Sequence, residues 1–304
     1  MKVEATSKPP IGKGQAWLLA ARPKTLPAAA APVIVGTAIA IATHNFSPLP
    51  ALAALLGALF IQIGTNFAND VFDYKKGADT AERVGPLRVV QAGILTPNEV
   101  FAGMWLVFGL ATLCGVYLLI VVGWPIVVIG VLSILAGIAY TGGPFPLGYN
   151  GLGDIFVFIF FGLVAVCGTY YVQAGRLVAL AWWGAIPVGL LATAIIVVNN
   201  LRDIETDTKV GKKTLAVRLG GRAMQLEYFG LLAGSYLVPP LIWGLGLASG
   251  WVMLAWLSLP LAWPLTQAIQ TQKGRALNPV LGGTARLELV YSLLFAVGLA
   301  LTAL

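Results

Sequence analysis

Charge is the scarcest property of this sequence. Only 10% of its 304 residues are charged, whereas ordinary soluble proteins have roughly a quarter. Hydrophobic residues make up 58% of the chain and the mean hydropathy is +0.86. A protein whose whole surface faces water needs more charged residues than this. The composition therefore excludes an ordinary soluble protein and predicts a membrane protein.

Cysteine and histidine are almost absent. The chain has two cysteines, Cys114 and Cys167, both inside apolar runs, and one histidine, His44. Neither cysteine has a second cysteine or a histidine at ligand spacing, which argues against a disulfide framework and against a zinc site. We therefore expect both cysteines to be packing residues.

The excess of positive charge does not indicate nucleic-acid binding. The formal net charge is +7, but the basic residues are not interleaved with aromatic residues and lie in no recognisable nucleic-acid module. We therefore predict no nucleic-acid partner, and the distribution of the cations must have another reason.

Long apolar runs are what the chain has in abundance. A helix needs roughly 20 mostly apolar residues to cross a bilayer, because each backbone polar group must be paired within the segment. About nine runs are this long. They are Leu26–Thr43, Ala51–Ala68, Val100–Val122, Pro125–Tyr140, Ile155–Val172, Val178–Val198, Tyr228–Leu247, Val252–Ile269 and Arg286–Leu304. The sequence therefore predicts an all-α integral membrane protein, with one domain over residues 1–304 and a cytoplasmic N-terminal segment at 1–24.

The basic residues lie almost entirely on one side of these spans. They precede the first span, follow the second and the sixth, and lie between the eighth and the ninth, while Arg176 alone falls on the other side. Lysine and arginine near span ends mark the cytoplasmic side. We therefore predict a cytoplasmic N-terminus, a C-terminus outside, and a functional surface on the cytoplasmic face.

Acidic residues gather after two of the spans, each time together with asparagines. The cluster after the second span contains Asn66, Asn69, Asp70, Asp73, Asp79 and Glu82. The cluster after the sixth span contains Asn199, Asn200, Asp203, Glu205 and Asp207. The clusters occupy equivalent places four spans apart. We interpret them as a weak internal repeat, in which two helical bundles face each other around a central cavity.

The spacing within each cluster places oxygen atoms on one helix face. Asn69 and Asp73 are one turn apart, as are Asp203 and Asp207. Facing rows of carboxylates repel each other unless cations lie between them. Oxygen ligands without nearby histidine or cysteine favour Mg²⁺, which proteins hold with one or two carboxylates and substrate phosphates. The candidate metal ligands are Asn69, Asp70, Asp73, Asp79, Asn199, Asp203 and Asp207.

Basic residues follow both acidic clusters and complete a site for a diphosphate. Arginine contacts phosphate oxygens in bidentate fashion. The candidate diphosphate-binding residues are Arg83, Arg88, Lys212, Lys213 and Arg218. An allylic diphosphate held in this way can ionise, because its developing charge is already neutralised, and the carbocation can then attack an electron-rich ring. The clusters are thus suited to an allylic diphosphate as a substrate.

Four stretches of the chain resemble the UbiA superfamily of membrane prenyltransferases, and within it the menaquinone branch. They are Arg22–Pro27 (RPKTLP), Asn66–Gln91, Tyr140–Asp154 (YTGGPFPLGYNGLGD) and Asn199–Gly220. The resemblance covers nearly the whole chain. It implies a UbiA-type domain with a ring of nine transmembrane helices, Mg²⁺ bound between two aspartate-rich motifs, and a cytoplasmic cap over the site.

The resemblance also assigns roles to particular residues. Asn69 and Asp73 match the first motif, and Asp203 and Asp207 match the second, so these four are the predicted catalytic residues. The superfamily pattern has a third acidic residue four positions after Asp73, where this chain has Gly77, and we expect Asp79 to take its place. Candidates for contact with the acceptor are Lys24, Tyr140 and Asp154.

The implied reaction is a decarboxylating prenyl transfer in a bacterial cytoplasmic membrane. The ring carbon of 1,4-dihydroxy-2-naphthoate that bears the carboxylate attacks the donor, and CO₂ and diphosphate leave. Other acceptors (4-hydroxybenzoate, homogentisate) and a phytyl donor remain alternatives. A cation-coupled transporter is the alternative from another class, but transport carboxylates lie near the middle of a span, and these lie at span ends. Nothing in the sequence indicates the oligomeric state.

Overall fold

The computed structural model describes residues 11–79 and 83–303, and every regular element in those ranges is helical. The helices are α1 Lys13–Ala21, α2 Leu26–Ala42, α3 Pro48–Lys75, α4 Pro97–Val122, α5 Pro125–Ala139, α6 Gly153–Ala174, α7 Ala179–Arg202, α8 Ile204–Lys209, α9 Leu215–Leu219, α10 Gly221–Gly244, α11 Gly250–Thr271 and α12 Asn278–Ala300. Helix α6 contains a π-helical stretch, Phe158–Val164, and α11 begins as a 3₁₀ helix, Gly250–Ser258.

Seven helical segments within the described ranges are long and apolar enough to cross a membrane. The shorter α5 and the less apolar α10 bring the total of long helical segments to nine. The all-α membrane fold is therefore confirmed, and each of the nine predicted spans corresponds to a helix of the structure.

Proline and glycine set several helix boundaries. Helices α3, α4 and α5 each begin with a proline, which needs no N–H partner at the first helical position. The Thr96 hydroxyl accepts from the N–H of Glu99, and the Glu99 carboxylate accepts from the N–H of Thr96, so this capping box fixes the start of α4. Gly123, with a φ of +84°, ends α4.

The long helices contact one another in chain order and the last contacts the first, so they form a closed ring. Close crossings depend on glycine. A Cβ atom on Gly162 of α6 would lie 2.7 Å from the Cα of Gly189 on α7, and one on Gly36 of α2 would lie 2.6 Å from the carbonyl oxygen of Val166. One large apolar cluster joins α2, α6, α7, α10, α11 and α12, and a smaller one joins α1, α3 and α4. The helices that carry the acidic motifs, α3 and α7, therefore belong to different packing clusters.

The structure corrects several predicted boundaries. Helix α3 runs to Lys75 and not to Ala68, and α12 begins at Asn278 and not at Arg286. Each predicted boundary lies where the apolar run meets polar residues, but the helical hydrogen bonds continue through those polar residues. Part of the predicted N-terminal segment is the helix α1, which packs Trp17 edge-to-face against Phe67. Residues 1–10, Glu82 and Leu304 lie outside the described residues.

Candidate active site

A cavity of about 1310 Å³ lies inside the ring of helices. Both acidic motifs contribute to its wall. Asn69 and Asp73 of α3 line it, as do Asn199 of α7 and Asp203 and Asp207 beyond α7. The structure thus brings the two sequence clusters to one chamber, at the ends of the helices that carry them.

The first motif is held by residues from other parts of the chain. Asp73 is buried, and its Oδ1 accepts a hydrogen bond of 2.6 Å from the hydroxyl of Tyr149. Its Oδ2 accepts one of 2.8 Å from Nη2 of Arg88. One turn earlier, Oδ1 of Asn69 accepts from the hydroxyl of Thr141 at 2.9 Å. The side-chain oxygens are therefore oriented before any substrate binds.

The second motif is organised by Arg202, the last residue of α7. Its Nε donates to Oδ1 of Asp203 at 2.8 Å, and its Nη2 donates to Oδ2 of Asp203 at 2.6 Å and to Oδ1 of Asn199 at 2.9 Å. Its Nη1 donates to Oδ1 of Asn278 at 3.0 Å. The sequence analysis did not identify Arg202 as a site residue, although it lies directly beside Asp203 in the second cluster.

One cation lies between the two motifs. The Nζ atom of Lys212 is 3.6 Å from Oδ1 of Asp73 and 3.7 Å from Oδ1 of Asp207. The same ammonium lies 4.5 Å from the centre of the Tyr149 ring. Asp73 and Asp207 therefore face the same small volume, which is a favourable position for positive charge.

The segment from Arg83 to Arg88 covers this side of the cavity. Arg83 forms an ion pair with Asp79, and Nε of Arg88 lies 3.5 Å from Oδ2 of Asp79. The segment is tied to α12, because Nδ2 of Asn278 donates to the carbonyl oxygen of Val84 at 3.1 Å. We call Arg83–Arg88 the arginine loop.

Burial makes the ionised carboxylates near the loops costly. The pKa of Asp207 is raised to about 6, chiefly by burial and further by Asp203 and Asp73, while Lys212 opposes the shift. Burial likewise raises the pKa of Asp79 to about 6 against the effect of Arg83. Burial and the neighbouring Asp73 also raise the pKa of the Tyr149 phenol, which therefore stays protonated as a donor to Asp73. Additional positive charge in the site would therefore stabilise the ionised carboxylates.

The donor set fits a magnesium diphosphate. In the described part of the chain, no group of three or more acidic, histidine or cysteine side chains could hold a metal by itself. Mg²⁺ does not need such a group, because it keeps waters and shares substrate phosphates. Among the described residues, buried guanidinium atoms without a protein hydrogen-bond partner include Nη2 of Arg22, Nε of Arg83 and Nη1 of Arg88. These three arginines line the cavity and offer donors for anionic oxygens.

Two predicted metal ligands do not lie on the cavity wall. Asp70 is buried on another face of α3, close to the backbone N–H groups of Val89 and Val90. Asp79 is buried beneath the arginine loop, where it pairs with Arg83. Both carboxylates therefore hold loops, because consecutive residues of a helix point in different directions and Gly77 ends the helical turn before Asp79.

Two predicted diphosphate-binding residues also lie off the wall. Lys213 and Arg218 are exposed. The guanidinium of Arg218 donates to the carbonyl oxygens of Lys213 and Asn150 at 2.9 and 3.0 Å, and so joins two loops. Arg83, Arg88 and Lys212 are the predicted diphosphate-binding residues that do line the cavity.

Lys24 and Tyr140 line the cavity, and Asp154 does not. Asp154 is buried at the start of α6. The residue before it, Gly153, packs against the hydroxyl of Tyr140. Arg22, the first residue of the RPKTLP stretch, also lines the cavity. Its φ of +52° is rare for a residue with a side chain, which marks it as a functional candidate.

Comparisons with known proteins agree with this arrangement. The model of the UbiA prenyltransferase family matches residues 29–302. The 1,4-dihydroxy-2-naphthoate octaprenyltransferase of Escherichia coli (strain K12) is 41% identical over 301 residues, which cover 96% of this chain and 97% of that protein. The enzyme of the same name from Mycobacterium tuberculosis is 40% identical over 93% of this chain and 96% of its own length.

Solved structures show the same fold. A UbiA homolog from Archaeoglobus fulgidus, bound to DMAPP and Mg²⁺, superimposes with a TM-score of 0.64 at 17% identity, over 93% of this chain and 99% of its own. A UbiA homolog from Aeropyrum pernix K1 gives a TM-score of 0.68 at 12% identity, over 90% and 98% of the two chains. At this identity the likeness concerns the fold.

Proposed function

Because the chain belongs to the UbiA prenyltransferase family, we propose that it transfers a polyprenyl group from an allylic isoprenyl diphosphate to 1,4-dihydroxy-2-naphthoate, in a reaction that requires Mg²⁺. The single observation that supports this most strongly is the position of Lys212 between Asp73 and Asp207, inside a cavity that Arg22, Arg83 and Arg88 also line. We infer the identity of the acceptor from the relatives, which are named for transfer to 1,4-dihydroxy-2-naphthoate.

We assign the donor to the end of the cavity that contains the two motifs. Asn69, Asp73, Asp203 and Asp207 would hold magnesium, which supplies the positive charge that stabilises a departing diphosphate. Arg83, Arg88 and Lys212 donate to the diphosphate oxygens. Tyr149 keeps Asp73 oriented through its hydrogen bond to Oδ1. Charge that develops on the leaving group then meets donors that are already in place.

The acceptor requires an anion-binding position near the same site. Arg22, Lys24 and Tyr140 line the cavity, and the cations suit the naphthoate carboxylate. The ring carbon bearing the carboxylate forms a bond to the allylic carbon, and the bond to diphosphate oxygen breaks. The carboxylate then leaves as CO₂, and its bonding pair restores the aromatic ring. The product is demethylmenaquinone in its quinol form.

The membrane orientation belongs to the same proposal. The cation distribution favours a bacterial cytoplasmic membrane with the site on the cytoplasmic side. A transporter is disfavoured, because Asp73 lies two residues before the end of α3 and Asp203 follows the end of α7. Neither carboxylate is near the middle of a span, where transport sites are found.

The test is turnover by the purified protein in lipid, with dihydroxynaphthoate, geranyl diphosphate and Mg²⁺. We expect a prenylated naphthoquinol and an equal amount of CO₂. Asp73→Asn and Asp203→Asn should each lower kcat/KM by at least about a hundredfold, because each removes a charge that faces the leaving group. The matched control is Glu205→Gln, since Glu205 is exposed in the second cluster. Wild-type turnover by both aspartate variants would refute the assignment.

A further inference from the structure

The turn between α1 and α2 begins with Arg22 in an unusual backbone conformation. Arg22 has a φ of +52° and a ψ of +68°, in the left-handed region that residues with a side chain seldom adopt. Its side chain lines the cavity, and its Nη2 atom is buried without a hydrogen-bond partner among the described residues. A buried donor without an acceptor is costly. The turn therefore presents an N–H group that an anionic ligand in the cavity can satisfy.

Thr25, at the other end of this turn, fixes the backbone of Arg22. The N–H and the hydroxyl of Thr25 both donate to the carbonyl oxygen of Arg22, at 2.9 and 3.0 Å. The hydroxyl oxygen also accepts from Nδ2 of Asn66 at 3.0 Å and from Nε2 of Gln62 at 3.3 Å. A hydroxyl has one donor and two acceptor positions, so this side chain uses all of its hydrogen-bonding capacity to hold the turn.

Helix α3 supports the turn from the side. Gln62 and Asn66 lie one helical turn apart on α3, and both reach Thr25. Asn66 is buried, and its Nδ2 also donates to the carbonyl oxygen of Ala21, the last residue of α1, at 3.0 Å. These contacts therefore join the turn to the helix that carries Asp73.

Asp70 supplies a countercharge for Arg22. Among the charged groups around Asp70, Arg22 interacts with it most strongly, and Asp70 is likewise the strongest acidic neighbour of Arg22. Asp70 lies one helical turn after Asn66, is buried and does not line the cavity. A buried cation needs such a partner. Asp70 therefore compensates the guanidinium from behind the cavity wall, while Nη2 stays available to a ligand.

We propose that Nη2 of Arg22 binds the carboxylate of the acceptor, and that Thr25 and Asn66 are positioning residues that hold the turn in the conformation that presents this donor. The inference rests on the proposed function and assigns the carboxylate to one residue. A guanidinium binds a carboxylate with a fixed geometry, so its orientation matters more than that of an ammonium. Lys24 also lines the cavity, but it is exposed and its charge is screened by water and salt.

The first experiment separates the carboxylate from the rest of the acceptor. Turnover of dihydroxynaphthoate is inhibited with 1-hydroxy-2-naphthoate and with 1-naphthol, which differs from it only by lacking the carboxylate. The ratio of the two inhibition constants measures the contribution of the carboxylate to binding. We expect 1-hydroxy-2-naphthoate to bind the wild type at least about tenfold more tightly, and Arg22→Gln to bind the two compounds within about threefold of each other.

The second experiment tests the positioning residues. Thr25→Val removes the hydroxyl at nearly constant volume, and Asn66→Ala removes the donor to Ala21 and Thr25. Both should raise KM for dihydroxynaphthoate by about tenfold and leave KM for geranyl diphosphate unchanged, because a displaced guanidinium binds the carboxylate less well. Thr25→Ser keeps the hydroxyl and should keep the wild-type KM. The matched control is Thr43→Val, which removes a hydroxyl at the other end of α2.

Three results would overturn the inference. The first is a wild-type inhibitor ratio in Arg22→Gln. The second is a rise in KM for geranyl diphosphate in place of dihydroxynaphthoate, which would assign Arg22 to the diphosphate. The third is an equal KM in Thr25→Val and Thr25→Ser, and this pair decides even where Asn66→Ala does not fold. Each result leaves the wild-type reaction, and with it the proposed function, intact, whereas a wild type without turnover would refute both.

Discussion

At the scale of single residues, the acidic side chains at the cavity are paired with basic side chains that compensate their charge. Arg202 neutralises Asp203, Arg88 neutralises one oxygen of Asp73, and Lys212 lies between Asp73 and Asp207. A buried carboxylate without a partner is costly. Removing one of the basic partners should therefore destabilise the fold as well as change the binding of metal and diphosphate.

Tyr149→Phe tests this balance without removing a charge. The variant keeps the ring beside Lys212 but loses the 2.6 Å hydrogen bond to Asp73. A hydrogen bond to a charged group contributes about 1.5 to 3 kcal/mol, so we expect kcat/KM to fall by roughly ten- to a hundredfold. Tyr236→Phe is the control, because it removes a hydroxyl that bonds Ser258 far along α10. Equal activities of the two variants would contradict the role given to Tyr149.

The raised pKa of Asp207 predicts how magnesium binding depends on pH. This carboxyl has a pKa of about 6, so it is mostly ionised at neutral pH and gains a proton below 6. Metal must then displace that proton, and the Mg²⁺ concentration for half-maximal activity should rise by up to about tenfold per unit below pH 6. In Asp207→Asn this part of the pH dependence should disappear, and what remains is due to the diphosphate. A wild-type profile identical to that of the variant would contradict the prediction.

The residues that the sequence analysis missed share one property. Each donates a hydrogen bond to a motif carboxylate: Tyr149 to Asp73, and Arg202 to Asp203. Tyr149 and Asp73 are far apart in sequence. Spacing along a helix predicts which residues share a face, but it does not predict which loop returns to that face. The stretches that contain Tyr149 and Arg202 were both identified by resemblance, and only the fold showed which of their side chains reach the motifs.

At the scale of elements, the middle of each helix follows from hydropathy, but only some of the ends do. The predicted start of the first span, Leu26, is the observed start of α2. In contrast, α12 begins at Asn278, eight residues before the predicted start at Arg286. Hydropathy missed the first two turns of this helix because they contain few strongly apolar residues. That extension matters for the site, since it places Asn278 beside Arg202 and the arginine loop.

Asn278→Ala tests whether α12 positions the arginine loop. The change removes the donor to Val84 and the acceptor for Arg202. We expect KM for the prenyl diphosphate to rise by about tenfold with a smaller change in kcat, because the loop supplies binding residues for the diphosphate. Gln225→Ala is the control, as its side chain donates to the carbonyl oxygen of Ile269 away from the cavity. A fall in kcat alone, with KM unchanged, would be inconsistent with a loop that binds the donor.

At the scale of the whole molecule, composition predicted the membrane and the cation distribution predicted an orientation. The orientation is testable in a background with Cys114→Ala and Cys167→Ala. A membrane-impermeant maleimide should label His44→Cys in intact cells, and should label Lys273→Cys only after the membrane is permeabilised. Both positions are exposed, so accessibility of the side chain does not limit the reaction. The reverse pattern would invert the predicted orientation.

The ring of helices and the central cavity were predicted from the resemblance and from the repeated acidic clusters, but the shape of the cavity was not predictable from hydropathy. Hydropathy gives the number of long helices, but the shape inside the ring depends on glycines and alanines on several helices that happen to face one another. Gly115 and Gly130, for example, are ordinary residues within apolar runs, and only the fold shows that both line one cavity.

The central claim is that Asp73 and Asp203, on different helices, act together on one magnesium diphosphate. The most direct measurement is the binding of an unreactive prenyl thiolodiphosphate at increasing Mg²⁺, in the wild type, Asp73→Asn, Asp203→Asn and Glu205→Gln. We predict Mg²⁺-dependent binding in the wild type and in Glu205→Gln, and its loss in each aspartate variant alone. Binding with the wild-type Mg²⁺ dependence in either aspartate variant would contradict the account.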